Sequence, residues 1–218
     1  MEAAEFVRRY PCAWHMTEDG QWPSIRARGL LCTSALLDLY GVAGAERAAI
    51  EESRRPGPVV LRRAGRPDVV IRDQMPLSDA GLRRCLSPGM APCDWYRLLN
   101  GMAFFWLSEA RLFRLLNARP YRDAAHTVLT VSTESLVRAH GERIRLCPIN
   151  SGNTRRLPQP RGPETFLPIR DYPFEWWRRR RGDVDAVVEL AVPGGVPDIE
   201  RHTLTVGRMR VRRCAVLC

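Results

Sequence analysis

The chain has 218 residues, 45% of them hydrophobic and 27% charged, which suits one folded domain with its own core and excludes disordered, collagen-like and coiled-coil classes. Its 34 basic and 24 acidic residues give a formal charge of +10, a field that attracts polyanions such as nucleic acid, phosphates or acidic proteins. Every basic residue is arginine, which removes lysine Schiff-base chemistry and the Gly-Lys-Ser/Thr phosphate loop.

In chain order, residues 12–16 read as a short strand. Pro23 at the first helical position and Gly29 beyond the last then mark a helix over 23–28. Leu36, Leu37 and Tyr40 at helical spacing predict a helix over 34–40, and 45–54 predicts another, closed by Pro56-Gly57-Pro58. The β-branched runs 59–63 and 68–72 flank Ala64-Gly65-Arg66-Pro67, a hairpin signal. Helices follow at 78–86 and 92–100, started by Ser78 and Pro92. Residues 102–107 form a buried strand, and 108–117 a helix capped by Ser108 with Leu112, Leu115 and Leu116 on its apolar stripe. Strands at 127–132 and 143–147 enclose a short helix at 133–139. Residues 151–183, broken by Pro158, Pro160, Pro163, Pro168 and Pro173, read as one long loop. A strand returns at 185–192, and 203–206 with 208–211 suggests one or two more. The expected fold is a single α+β domain over residues 1–218.

No apolar run reaches the roughly 20 residues of a membrane span, and Glu2, Glu5, Arg8 and Arg9 do not make a secretion signal. A cytoplasmic protein without membrane contact is expected. Cys12, Cys32, Cys85, Cys93, Cys147, Cys214 and Cys218 are odd in number and irregular in spacing, without Cys-x-x-Cys and with only four histidines, so reduced thiols and no metal are expected.

Two residues carry the chemical argument. Glu189 stands inside Val187-Val188-Glu189-Leu190-Ala191-Val192, where a carboxylate must be paired, protonated or functional. His15 follows Trp14 in the first strand, a place that suits either a hydrogen-bonded core histidine or a ligand-binding one. Asn150-Ser151-Gly152-Asn153 reads as a turn, with pocket lining the alternative.

Trp14-His15-Met16-Thr17 followed by Trp22-Pro23-Ser24-Ile25 and Gly29-Leu30-Leu31 resembles the opening motif of the ADP-ribosyltransferase superfamily, especially the DarT-type enzymes that modify thymidine in single-stranded DNA. Glu189-Leu190-Ala191-Val192-Pro193 is similar to the segment holding their catalytic Glu. Phe104-Phe105-Trp106, running into Ser108 and the Leu-rich helix, is similar to their middle strand and helix. The resemblance implies a split β-sheet core with helices packed on it and NAD as co-substrate. It makes Glu189 the catalytic carboxylate that binds the nicotinamide ribose and stabilises positive charge as nicotinamide leaves. It also makes His15 and Thr17 the residues positioning NAD, with Phe105 or Trp106 stacking on nicotinamide. Arg72 is either the arginine such enzymes aim at the NAD phosphates or base, or a solvated hairpin arginine. Arginine-modifying relatives place Gln or Glu two residues before the catalytic Glu; Val187 stands there, which counts against an arginine acceptor.

In that superfamily the loop before the Glu strand selects the acceptor. Here it contains Trp176, Trp177, Arg178 and Arg179, aromatic faces for unpaired bases and cations for phosphate, so single-stranded DNA or RNA is the expected partner; the alternative is that the two Trp pack on the core and Arg178 to Arg181 form a solvated turn. A toxin of this kind implies a neutralising antitoxin. Two other readings stand beside it: an NAD-dependent RNA 2′-phosphotransferase, and a non-catalytic NAD- or nucleic-acid-binding module.

Overall fold

In the computed structural model, which describes residues 1–155 and 158–211, the chain opens with α1 (Ala3–Arg9). Phe6 is its one buried residue, so no apolar stripe marks it in the sequence. β1 (Cys12–Glu18) runs two residues past its expected end. Next come α2 (Trp22–Arg28), β2 (Leu30–Leu31), α3 (Thr33–Tyr40), α4 (Gly44–Glu51) and the antiparallel hairpin of β3 (Val59–Leu61) and β4 (Val69–Ile71). Ser78 accepts the Gly81 N–H at 3.1 Å and so caps α5 (Asp79–Arg83), which is followed by α6 (Pro92–Asn100) and β5 (Met102–Trp106). Ser108 caps α7 (Glu109–Leu116) as expected; β6 (His126–Ser132), α8 (Thr133–His140) and β7 (Arg145–Cys147) come after it. The chain ends with β8 (Leu167–Pro168), α9 (Phe174–Arg181), β9 (Glu189–Pro193), β10 (Gly195–Val196) and β11 (Thr203–Met209).

Two expectations are corrected. The stretch 151–183 is not one loop, because its prolines fall where regular structure tolerates them. Pro163 opens a 3-10 turn, Pro168 sits on the edge strand β8, and Pro173 is the N-cap of α9. The strand expected at 185–192 begins only at Glu189. Before it, side chains take the backbone: the Tyr172 hydroxyl donates to the Ala186 carbonyl at 2.6 Å, and the Val187 N–H donates to the Tyr10 hydroxyl at 3.3 Å. The last segment, expected as one or two strands, is one, with a register shift between Thr203 and Thr205. Cys12, Cys32, Cys85, Cys93 and Cys147 are free thiols, while Cys214 and Cys218 lie outside the described residues. Among the described residues no helix is long and apolar enough to cross a membrane.

The fold is α+β around a seven-stranded sheet in the order β11-β6-β1-β5-β9-β7-β8, with every neighbouring pair antiparallel. Alternation sends Ala13, Phe105, Leu129, Leu146 and Leu190 to one face, where they meet Phe6 of α1, Leu136 of α8 and Phe174 of α9. The other face carries Met102, Cys147 and Ala191 against Trp95 and Leu99 of α6, and Met16 and Val128 against Leu112 and Leu116 of α7. A third cluster joins α3 and α4 to the β3–β4 hairpin.

The sheet's centre is unusual. β1 pairs with β6 along all seven of its residues, yet meets β5 in register only at Trp14 opposite Trp106. Two half-sheets therefore diverge on either side of that pair. Beyond them, β2 lies flush on β10: a Cβ on Gly29, whose φ is +87°, would stand 2.4 Å from the Cα of Pro197.

Candidate active site

A cavity of about 330 Å³ opens where β1 and β5 part, at the lower end of the size range of small-molecule sites. Its walls come from both half-sheets, from α2, from the segment leaving β4 and from the turn at 150–152.

Glu189 is at the first position of β9, between β5 and β7, and is 4% exposed. It stands opposite Trp106 on one side and Cys147 on the other, so Trp14, Trp106, Glu189 and Cys147 form one row across the sheet. The Ser151 N–H donates to both carboxylate oxygens, at 3.2 and 3.3 Å. Burial pushes this carboxyl up from its ordinary 4.5 to about 7, against the Ser151 hydrogen bonds and the positive charges of Arg111 and Arg161, which favour ionisation. Near neutral pH the site thus holds a carboxyl balanced between its two forms.

His15 bridges the gap between the half-sheets. Its Nδ1 lies 2.8 Å from the Phe104 carbonyl of β5, and since a carbonyl only accepts, Nδ1 carries the proton. Burial lowers the imidazole to about 4, so the ring is neutral at physiological pH and Nε2 is left as an acceptor. Phe105 backs this ring at a centroid distance of 5.7 Å and is 1% exposed. Of the two aromatic candidates, Trp106 is the one that shares the row with Glu189. Thr17 is buried and lines the same cavity.

Arg72 also reaches the cavity. Its guanidinium stacks over Tyr121 at 4.4 Å and pairs with Glu18 at 3.4 Å, and Nη1 donates to the Met16 carbonyl at 3.4 Å. Buried Arg55 fixes the backbone behind it, donating from Nε to the Arg72 carbonyl at 3.0 Å. Sequence reasoning missed Arg28 at the end of α2. Its Nε and Nη1 are buried without a hydrogen-bond partner, as is Arg72 Nη2, and both side chains line the cavity. Burial lowers the Arg28 guanidinium from its ordinary value. Cationic donors without a partner beside a cavity are able to take up an anion.

Trp176, Trp177, Arg178 and Arg179 are brought together on α9, but none of them lines this cavity. Trp176 is 47% exposed under Arg180 at 3.5 Å, and Trp177 packs against the main core under Arg181 at 4.1 Å. Arg178 is held by Glu175 at 2.6 Å. The turn at 150–153, in contrast, lines the cavity through Asn150, Ser151 and Gly152.

Neither curated proteins nor solved structures match this chain. A family model matches residues 11–203, most of its length, and by that match the chain belongs to DUF7002, a family of unknown function.

Proposed function

We propose that the protein is an NAD-dependent mono-ADP-ribosyltransferase that modifies a base of DNA or RNA. The observation that carries this reading is that Glu189 and His15, far apart in sequence, line one cavity where the central strands part. The divided sheet supports kinship with the ADP-ribosyltransferase fold. The residues present suit NAD: orphaned guanidinium nitrogens of Arg28 and Arg72 for the diphosphate, and aromatic walls at Trp14 and Trp106 for a ring.

When bound, NAD supplies a glycosidic bond whose electron pair leaves with neutral nicotinamide, so positive charge develops on the ribose carbon. Ionised Glu189 answers that charge with a fixed negative one in a water-poor site, where it acts more strongly than in water. Ser151 holds both carboxylate oxygens in orientation. Neutral His15 offers Nε2 as acceptor to a ribose hydroxyl, because its Nδ1–H is committed to Phe104. The exposed Trp176 with Arg179 and Arg180 gives the acceptor strand a stacking and phosphate-tracking surface outside the cavity.

The test is to mix purified protein with labelled NAD and separate pools of single-stranded DNA, RNA and protein, following nicotinamide release and label transfer. Label in a nucleic-acid pool, lost in Glu189→Gln, is the expected result. Transfer by Glu189→Gln at the wild-type rate, or no nicotinamide release in any pool, refutes it. A second reading, an RNA 2′-phosphotransferase, draws on the same arginine nitrogens, which also suit a terminal phosphate dianion. It requires that 2′-phosphorylated RNA lose its phosphate only when NAD is present.

A further inference from the structure

We infer that Arg161 is a positioning residue for Glu189, clamping the 150–153 turn so that the Ser151 N–H stays in place against both carboxylate oxygens. The proposal rests on the reading of Glu189 as the catalytic carboxylate for its effect on turnover, but not for its geometry.

Arg161 is 3% exposed and makes no ion pair among the described residues. All three arms of its guanidinium go to backbone carbonyls instead: Nη1 to Ser151 at 3.0 Å, Nη2 to Asn153 at 3.1 Å and Nε to Gln159 at 3.1 Å. Two of those carbonyls belong to the turn that presents the Ser151 N–H. Trp95 adds Nε1 to the Ser151 carbonyl at 3.3 Å and lies beneath the guanidinium at 5.5 Å. The base of the clamp is fixed as well. The Arg161 N–H donates to the Cys85 carbonyl at 2.8 Å, and the Arg161 carbonyl accepts from the Ser87 N–H at 2.9 Å. A buried cation with no carboxylate in contact is unfavourable unless a nearby negative charge offsets it, and the ionisable groups in its field are Glu189, Cys147 and Cys85. The two thiols are themselves raised by burial, so Glu189 is the group able to carry the balancing charge near neutrality. A planar fork bridging two carbonyls is a task lysine cannot reproduce. The other groups facing Glu189 are Arg111 of α7, engaged by Asp185 at 2.6 Å, and the Cys147 thiol of β7; neither holds the turn.

The experiment follows the Glu189 carboxyl by carbon NMR in glutamate-labelled protein, with the resonance assigned by its loss in Glu189→Gln, alongside NAD cleavage against pH. In Arg161→Gln the Glu189 midpoint is expected to rise by at least about half a unit. Over the same comparison kcat falls about tenfold or more while KM for NAD stays within about twofold. Arg161→Lys keeps the charge but reaches one carbonyl, and falls between. A folded Arg161→Gln with unchanged midpoint and unchanged kcat overturns the inference. Where Arg161→Gln does not fold, Arg161→Lys carries the test, and wild-type values for both readouts overturn it. If the midpoint moves but no protein, wild type included, cleaves NAD, the enzymatic reading fails and the clamp stands.

Discussion

Replacing Glu189 with Gln gives a stability change whose size depends on pH. The folded carboxyl titrates near 7 and the unfolded one near 4.5, so the folded state holds its proton more tightly. A group raised in this way contributes stability that is complete below the unfolded value and lost as pH climbs through the folded one. At about 1.4 kcal/mol per unit, the loss between pH 5 and pH 8.5 comes to about 2 to 3 kcal/mol, a smaller part having gone below pH 5. Gln cannot ionise, and any penalty for its unpaired amide is the same at both pH values, so it cancels in the difference. The free energy of urea unfolding, measured for both proteins at the two pH values, should show Glu189→Gln gaining about 2 to 3 kcal/mol on wild type at the higher pH. In thermal melts this corresponds to a relative gain of roughly 5 to 10 °C. Parallel pH curves for the two proteins, within a few tenths of a kcal/mol, would mean that the carboxyl is not desolvated as described.

Three further outcomes are expected. NAD cleavage should rise about tenfold between pH 6 and pH 8, following ionisation of a carboxyl centred near 7; a profile that falls over this range would make Glu189 a proton donor instead. Arg28→Ala and Arg72→Ala should each weaken NAD about 10-fold or more in calorimetry, since each removes charge-assisted donors, while Trp176→Ala lowers single-stranded nucleic-acid affinity by about 1 to 3 kcal/mol and leaves NAD binding as in wild type. Gly29→Ala should lower stability by more than about 3 kcal/mol in chemical denaturation, because the new Cβ would meet the Pro197 backbone at 2.4 Å from a left-handed φ; a change below 1 kcal/mol would show that β2 and β10 part readily.

What the sequence revealed follows from which forces act locally. The hairpin around 64–67 and the caps at Ser78 and Ser108 are set by neighbouring residues, and they stand where composition placed them. Glu189 was conspicuous because a carboxylate interrupts an apolar run. α9 was hidden because prolines scattered over 158–173 mask a helix that Pro173 itself opens, and because two Trp and four Arg offer no apolar stripe. Arg28 and Arg161 were invisible for another reason: in a chain whose 34 basic residues are all arginine, nothing local distinguishes a buried guanidinium from a wet one. Their meaning comes from long-range packing, as does the turn at 150–153, whose contact with Glu189 spans 38 residues.

The lone registered pair at Trp14 and Trp106 gives the molecule a seam. The neighbouring β1–β6 and β5–β9 pairs are held by long runs of ladder bonds, but here one facing pair of indole-bearing positions and the imidazole strut at Phe104 carry the join. A molecule lodged in the opening touches both halves at once and acts as a brace, so occupancy should slow amide exchange along the facing edges of β1 and β5 more than anywhere else. The cleft that admits a ligand is also the place where that ligand stiffens the protein.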